Sequence, residues 1–195
     1  MELKTKRLIL REPKLSDWKD VVEGIGDFDV AKMMVSVPYP YAKKDAIWFI
    51  NLKTKEWKKK EPNAYLFFIE LKSEKKVIGA IEVFKINRFV GTGETGSWIN
   101  KKYWRNGYIT EAKIALNDFA FNKVKLRRLD SPVFKDNIAS NATQLKMGYV
   151  LEGTMRKAHK SKATGKIHDA NIYGLLKEDW KKNRIELIKE MKGKK

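Results

Sequence analysis

The chain has 195 residues, of which 43% are hydrophobic, 11% are aromatic and none is cysteine. This composition is typical of a globular protein with one domain, and it excludes disulfide scaffolds, thiolate nucleophiles and metal sites with cysteine ligands. The 42 Lys and Arg residues against 24 Asp and Glu residues give a net charge of +18, which attracts nucleic acid, phosphorylated cofactors and acidic proteins. A lysine-rich proteome or a hot habitat produces the same excess, so the charge alone assigns no function.

The sequence also lacks the features of metalloproteins, membrane proteins and secreted proteins. The two histidines, His159 and His168, are too few for a histidine-rich metal site, so we expect no bound metal. No run of about 18 apolar residues is present, and the first ten residues lack the apolar stretch of a signal peptide. We therefore expect a cytoplasmic protein that does not associate with membranes.

The N-terminal third of the chain predicts one strand followed by helices. Alternating apolar residues predict the strand over residues 7–11, and Ser16 or Asp17 can cap the helix after it. A second short helix is predicted over residues 27–34. An amphipathic helix with many lysines is predicted over residues 44–60.

The middle of the chain has the pattern of an antiparallel sheet. Residues 64–71 predict a buried strand, a tight turn follows, and residues 77–84 predict its hairpin partner. Residues 94–99 predict a third strand, which leads through a turn at Gly107 into a helix with an apolar stripe.

Strands and helices alternate in the C-terminal part. The predicted elements are a strand near residues 128–133, a helix over 140–147, a strand over 149–155, a strand over 171–176 and a helix from 177 onward. The full order predicts an α+β fold with one mostly antiparallel, mixed sheet flanked by helices. We expect a main domain over residues 1–180 and a basic C-terminal helix or tail over residues 181–195.

The strand–turn–helix around Gly107 is the most informative segment. The first N–H groups of a helix have no partner inside it, and together with the helix dipole they form a site for phosphate. Lys101, Lys102 and Arg105 add positive charge, while Glu111 lies in the first turn, where a carboxylate suits the dipole. The spacing matches neither a P-loop nor a dinucleotide fingerprint, and an ordinary strand-to-helix turn with surface lysines is the alternative interpretation.

Several short motifs occur in a fixed order along residues 5–180. They are Arg7-Leu8-Ile9-Leu10-Arg11, Ile78-Gly79-Ala80-Ile81, Gly96-Ser97-Trp98, the segment from Tyr103 to Ala112, the segment from Asn137 to Asn141, Gly148-Tyr149, Glu152-Gly153, His168-Asp169 and Glu178-Asp179-Trp180. Together they resemble the GNAT superfamily of acetyl-CoA-dependent N-acetyltransferases, and within it the RimJ/RimL branch, which acetylates the N-termini of ribosomal proteins. The resemblance implies a single GNAT-like domain with a pyrophosphate loop in its strand–turn–helix, and acetyl-CoA as co-substrate.

The resemblance also implies which residues bind this co-substrate. The family's loop, R/Q-x-x-G-x-G/A, falls on residues 104–109, where Trp104 and Ile109 depart from the pattern and Ile109 is expected to crowd the phosphate. Backbone N–H groups of the loop would hold the diphosphate, and the pantetheine arm would pair with the end of the 94–99 strand. The expected contacts are Ile99, Arg105, Asn106, Gly107, Tyr108, Ile109, Thr110 and Asn137.

Acetyl transfer to an amine needs a base for the amine, donors for the carbonyl oxygen and a proton for the departing thiolate. For the base we expect His159, which the resemblance places on a strand lining the acceptor groove; the alternative is a solvated loop histidine. Glu94, beside the thioester, is the second candidate, and its alternative is a surface carboxylate. Ser140 is the expected donor to the thiolate, although it can also be the N-cap of the helix that follows.

Three functions remain open from the sequence. The first is transfer of an acetyl group to the N-terminal α-amino group of a protein such as a ribosomal protein, where the positive charge favours an acidic or ribosome-associated acceptor. The second keeps the fold but acetylates a small-molecule amine. The third is a basic RNA-binding protein that uses the lysine clusters at residues 53–60 and 177–195. We expect a monomer or a homodimer.

Overall fold

The fold is that of a computed structural model, which describes the backbone of residues 1–193 and the side chains of residues 1–190. Residues 194 and 195, the last two of the predicted basic tail, lie outside the described residues. The strands in the described part of the chain are β1 (Glu2–Lys4), β2 (Leu8–Arg11), β3 (Tyr65–Leu71), β4 (Lys76–Asn87), β5 (Thr92–Ile99), β6 (Arg128–Phe134), β7 (Val150–Lys160) and β8 (Ile167–Leu176). The α-helices are α1 (Trp18–Ile25), α2 (Phe28–Ala31), α3 (Lys43–Trp57), α4 (Tyr108–Asn122), α5 (Ile138–Lys146) and α6 (Lys177–Gly193).

All the strands join one sheet, in the order β1-β2-β3-β4-β5-β6-β8-β7. Every neighbouring pair is antiparallel except β5 and β6, which run parallel. This parallel pairing covers only residues 92–94 and 128–130, although β5 continues to Ile99 and β6 to Phe134. The C-terminal halves of β5 and β6 are therefore not joined, and an opening in the sheet lies between them.

The sheet divides the hydrophobic core into two clusters, one on each face. Phe67 and Phe68 are neighbours on β3 and point to opposite faces, as the alternation of a strand requires. Phe67 belongs to the cluster that contains Leu116 of α4 and Trp180 of α6, whereas Phe68 belongs to the cluster that contains Ile50 of α3. Helices thus flank both faces of a mostly antiparallel, mixed sheet, which confirms the predicted α+β fold.

Several predicted boundaries differ from the structure. Strand β1 was not predicted, because three residues are too few to show a period-two pattern. Helix α2 has only four residues, so the prediction of a helix over 27–34 was too long. The strands β7 and β8 extend to Lys160 and from Ile167, beyond the predicted limits, because most residues of β7 are exposed and show no apolar alternation.

The last helix packs on the main core. The predicted boundary between residues 180 and 181 falls inside α6, and Leu187, beyond that boundary, is buried in the same cluster as Trp180. Arg184 adds an ion pair between α6 and α4, with its Nε 2.7 Å from Asp118 Oδ1. None of the helices in the described residues is long and apolar enough to cross a bilayer.

Candidate active site

The turn between β5 and α4 exposes a run of backbone N–H groups. The six amides from Arg105 to Thr110 donate no hydrogen bond within the described part of the chain; the next amide, that of Glu111, donates to Gly107 O at 3.1 Å. Arg105 and Gly107 have left-handed φ angles of 62° and 74°. Left-handed residues among right-handed ones turn successive N–H groups to one side, which makes a concave site for an anion. The segment therefore has the form of an anion site at a helix N-terminus.

Side chains hold the carbonyl groups of this loop. Trp104 Nε1 donates to Ile99 O at 2.9 Å, so the tryptophan that departs from the family pattern ties the loop to the end of β5. Asn106 Nδ2 donates to Trp104 O at 3.0 Å, and Arg7 Nη1 donates to Asn106 O at 2.9 Å. The side chain of Ile109 packs against the core cluster that contains Leu116 and Trp180, so it is directed toward the protein interior.

The positive charge expected around the loop is partly neutralised. Lys101 Nζ lies 2.6 Å from Asp29 Oδ2, and Lys102 Nζ lies 2.9 Å from Glu23 Oε1. Hydrogen bonds from Lys76 and Lys102 lower the pKa of Glu23 to about 2, so this carboxylate stays charged at neutral pH. Both lysines thus pair with acids on α1 and α2, so they add less positive potential to the anion site than their charges alone predict.

Glu111 is fully engaged in hydrogen bonds beneath the loop. It is 3% exposed and accepts from Thr5 Oγ1 at 2.6 Å, from Arg7 N at 2.8 Å and from Arg7 Nε at 2.7 Å. Burial raises the pKa of Glu111, but the hydrogen bonds from Thr5 and Arg7 outweigh it, so the pKa lies below its ordinary value. A carboxylate held in this way is structural, as its place in the first turn of α4 predicts.

The opening between β5 and β6 begins beside this loop. From Thr95 to Ile99, the edge of β5 that faces β6 has no strand partner in the described residues. The opening closes where the pairing of β5 with β6 begins, next to Glu94. At this closed end, Thr95 Oγ1 lies 3.3 Å from the hydroxyl of Tyr149, which is buried. An unpaired strand edge can accept an extended chain by main-chain hydrogen bonds.

The N-terminus of α5 lies at the same edge of the sheet, just after β6. Its N-cap is Asn137, whose Oδ1 accepts from Ser140 N at 3.1 Å. The interpretation of Ser140 as the N-cap is therefore wrong, because the helix begins two residues earlier, at Ile138. The hydroxyl of Ser140 makes no hydrogen bond within residues 1–190, so it is available to a ligand.

The two candidate bases occupy different parts of the sheet. Glu94 lies where the pairing of β5 with β6 ends, and its Oε1 accepts from Lys85 Nζ at 2.9 Å. His159 is half-buried on β7, which excludes the interpretation as a solvated loop histidine. Strand β8 separates β7 from β6, and the ring of His159 lies 6.2 Å from that of Phe134 at the end of β6.

Some polar groups near the site are not among the expected site residues. His168 stacks on Phe134 with ring centroids 4.1 Å apart, and its Nδ1 lies 2.9 Å from Asp136 Oδ1. The Nε1 of Trp98 and the Nδ2 of Asn100, at the end of β5, are buried without a hydrogen-bond partner in the described residues. Single tryptophan and asparagine residues carry no periodic signal, and only the fold shows that these two groups are buried without a partner in the described residues. No group of three potential metal ligands is found in the described residues.

The chain is similar in sequence to known acetyltransferases. Residues 7–150 match the family of acetyltransferase (GNAT) domains. The chain is 31% identical over 182 residues to an uncharacterized N-acetyltransferase, YnaD, of Bacillus subtilis (strain 168), covering 92% of this chain and 99% of YnaD. It is 32% identical over 103 residues to the ribosomal-protein-serine acetyltransferase of Escherichia coli (strain K12), covering 53% of this chain and 56% of that protein.

The fold is also similar to that of a solved complex. The crystal structure of the microcin C7 self immunity acetyltransferase MccE in complex with acetyl-CoA and AMP aligns with a TM-score of 0.77 at 23% identity, over 88% of this chain and 93% of MccE. These findings confirm the resemblance to GNAT acetyltransferases, and the match to a ribosomal-protein-serine acetyltransferase supports the resemblance to the RimJ/RimL branch. The chain belongs to the GNAT acetyltransferase family, and it is an N-acetyltransferase that uses acetyl-CoA as its acetyl donor.

Proposed function

We propose that the enzyme transfers the acetyl group to the N-terminal α-amino group of a protein, such as a ribosomal protein. The observation that carries this proposal is the run of free amides from Arg105 to Thr110 beside the unpaired edge of β5. An α-amino group has an ordinary pKa of about 8, so its neutral form is available near neutral pH at a smaller cost than that of a lysine side chain. The similarity to a ribosomal-protein-serine acetyltransferase and the net charge of +18 support an acidic or ribosome-associated acceptor.

The fit of the loop to a diphosphate supports the proposed cofactor contacts. The amides of Arg105, Asn106, Gly107, Tyr108, Ile109 and Thr110 bind the diphosphate of acetyl-CoA, because each has a hydrogen to donate and residues 105–107 are exposed. The pantetheine arm extends along β5 from Ile99. Asn137, at the N-terminus of α5, contacts the cofactor from the other side of the opening.

The proposed chemistry is direct attack of the amine on the thioester. Ser140 donates to the departing thiolate, since its hydroxyl has no partner among the described residues. His159 accepts the proton of the amine through intervening water, because β8 lies between β7 and the opening. Glu94, at the closed end of the opening, is the second candidate base.

Replacing Gly107 tests the diphosphate site. Gly107→Trp forces a bulky residue into a left-handed position with φ of 74°, where its Cβ would lie 3.6 Å from Arg7 Nη2, and this distorts the loop that carries the free amides. We expect isothermal titration calorimetry to show no binding of acetyl-CoA to this variant. Gly165→Trp is the matched control, since Gly165 has φ of 70° in the β7–β8 turn with nothing within 4 Å. Unaltered affinity in Gly107→Trp would contradict the assignment.

The acceptor is tested by measuring the release of free CoA thiol with different amines. We expect peptides with a free N-terminus followed by acidic residues to react faster than basic peptides, N-terminally blocked peptides and aminoglycosides. The variant His159→Gln should lower kcat on the best peptide while leaving the Kd for acetyl-CoA unchanged. A small amine that reacts faster than every peptide would overturn the proposed acceptor, and an unchanged kcat would remove His159 from the chemistry.

A further inference from the structure

Arg7 connects the N-terminal strands with both the pyrophosphate loop and the first turn of α4. It lies between β1 and β2, and its Nε donates to Glu111 Oε2 at 2.7 Å. Its Nη1 donates to Asn106 O at 2.9 Å, and its Cζ lies 4.3 Å from the ring centroid of Tyr108. One guanidinium group therefore contacts two residues of the loop and one of the following helical turn.

By holding the C=O of Asn106, Arg7 also fixes the direction of the N–H of Gly107, which points to the opposite side. The C=O of Asn106 and the N–H of Gly107 belong to one planar trans peptide, so they point to opposite sides. When Arg7 holds this carbonyl, the N–H of Gly107 is directed away from Arg7. The same reasoning applies to the next hydrogen bond in the loop, because Asn106 Nδ2 holds Trp104 O and thereby directs the N–H of Arg105.

Glu111 keeps the guanidinium group in place. Its carboxylate is buried and also accepts from Thr5 Oγ1 and from the backbone N–H of Arg7, so it cannot turn away without losing several hydrogen bonds. A planar guanidinium bonds a carboxylate and a carbonyl in fixed directions, which a lysine ammonium does not do. Arg7 is thus held in one orientation before any ligand arrives.

We propose that Arg7 is a positioning residue that preorganises the diphosphate-binding amides of the loop without contacting the diphosphate itself. The inference rests on the proposed function, since it concerns the same anion site. Without Arg7, the peptide between Asn106 and Gly107 is free to rotate. Part of the binding free energy of the diphosphate is then used to order the loop, and the affinity falls. Loss of Arg7 therefore weakens the binding of ligands that carry the diphosphate, but it does not weaken the binding of the thioester arm alone.

The variant Arg7→Lys tests this role, because lysine keeps the charge near Glu111 but lacks the planar group that bonds Glu111 and Asn106 O in fixed directions. Arg184→Lys is the matched control: Arg184 is 41% exposed against 38% for Arg7, and it also pairs with a carboxylate of α4, Asp118, far along the helix from the loop. Isothermal titration calorimetry measures the Kd for acetyl-CoA and for acetyl-pantetheine, which has the thioester arm but no diphosphate. Thermal unfolding of each variant is measured in parallel.

We expect Arg7→Lys to raise the Kd for acetyl-CoA about tenfold, the size of one lost charge-assisted hydrogen bond, and to leave the Kd for acetyl-pantetheine unchanged. Arg184→Lys should change neither Kd, even if both variants lose similar thermal stability. An unchanged Kd for acetyl-CoA in Arg7→Lys, or an equal loss for both ligands, would overturn the inference. Failure of the unaltered enzyme to bind acetyl-CoA would instead overturn the proposed site itself.

A second variant covers the case in which Arg7→Lys does not fold. Glu111→Gln keeps the shape of the side chain and replaces one carboxylate oxygen by an NH2 group, so Thr5 retains an acceptor, but the guanidinium loses its charged partner. We expect a rise in the Kd for acetyl-CoA in the same direction, again with no change for acetyl-pantetheine. An unchanged Kd for acetyl-CoA in this variant would contradict the positioning role as clearly as in the first.

Discussion

Lys113 is an ionisable residue inside the core that pairs with no carboxylate in the described residues. It lies on α4, is 4% exposed, and its Nζ donates only one long hydrogen bond, 3.4 Å to Gln144 Oε1. Gln144 in turn donates from Nε2 to Ser131 Oγ at 2.9 Å. Burial lowers the pKa of Lys113 from 10.5 to about 8, so the folded protein carries a poorly solvated charge at neutral pH.

Replacing Lys113 should therefore stabilise the protein at neutral pH. The unfolded chain binds more protons than the folded one between pH 8 and 10.5, so the penalty is full below pH 8 and fades as the pH rises toward 10.5. The whole effect corresponds to about 3 kcal/mol at most, and we expect Lys113→Met to raise the free energy of unfolding at pH 7 by about 1–3 kcal/mol.

Urea denaturation of both proteins at pH 7 and at pH 10 measures this effect. The advantage of Lys113→Met should shrink at pH 10, where the lysine of the folded protein is neutral. Taking the difference between two proteins cancels the titration of the other lysines. A variant that is less stable at pH 7, or an advantage that does not depend on pH, would show that the lysine is not destabilising in its buried site.

At the scale of elements, helix α1 approaches β5 closely at Gly24. A Cβ atom at this position would lie 2.6 Å from Cζ3 of Trp98 and 3.2 Å from Cβ of Asn100. Trp98 is 7% exposed and packed in the core cluster that contains Phe68 and Ile50, so its ring has little room to move. The glycine allows the helix to cover the end of β5, next to the pyrophosphate loop.

The variant Gly24→Ala should consequently lower stability, although alanine favours helices. The gain in helix propensity is about 1 kcal/mol, whereas overpacking a core costs about 1–3 kcal/mol, so we expect a net loss of up to about 2 kcal/mol. Gly153→Ala on β7 is the control, because a Cβ there meets nothing within 4 Å. Equal midpoints of urea unfolding for the two variants would refute the close approach.

The elements whose apolar residues repeat with a clear period were predicted from the sequence, and those without such a repeat were not. The strand at residues 64–71 and the helix after Gly107 were predicted because their apolar residues repeat with the period of the element. The full β7–β8 hairpin was not, because β7 is an exposed edge strand with polar residues on both faces. An edge strand gains its pairing from its neighbour and not from its own pattern.

The candidate site was predicted in part for a related reason. The loop at Gly107 is contiguous in sequence, and its glycine marks the left-handed position. The contact between Arg7 and Asn106 joins residues about 100 positions apart, and no local pattern reports such a contact. The neutralisation of Lys101 and Lys102 by α1 and α2 was missed for the same reason, since charge counts do not show which charges pair.

On the scale of the whole molecule, the excess positive charge is spread over several surfaces. The pairs of Lys101 with Asp29 and Lys53 with Glu82 neutralise single lysines, and Arg128 is bonded to both Asp130 and Glu152. With 42 basic and 24 acidic residues, such pairs leave a field that extends over the protein surface. Such a field acts on the rate at which charged partners arrive more than on the acetyl transfer itself.

The parallel pairing of β5 with β6 is short, so few main-chain bonds join the two parts of the sheet along this line. Main-chain bonds between residues 92–94 and 128–130 are the ladder that joins the first five strands to the last three. In the proposed placement, acetyl-CoA contacts the loop after β5 and Asn137 after β6, and it thereby links the two parts of the sheet. We therefore expect bound acetyl-CoA to make the sheet more rigid along this seam, beside the site where the acceptor binds.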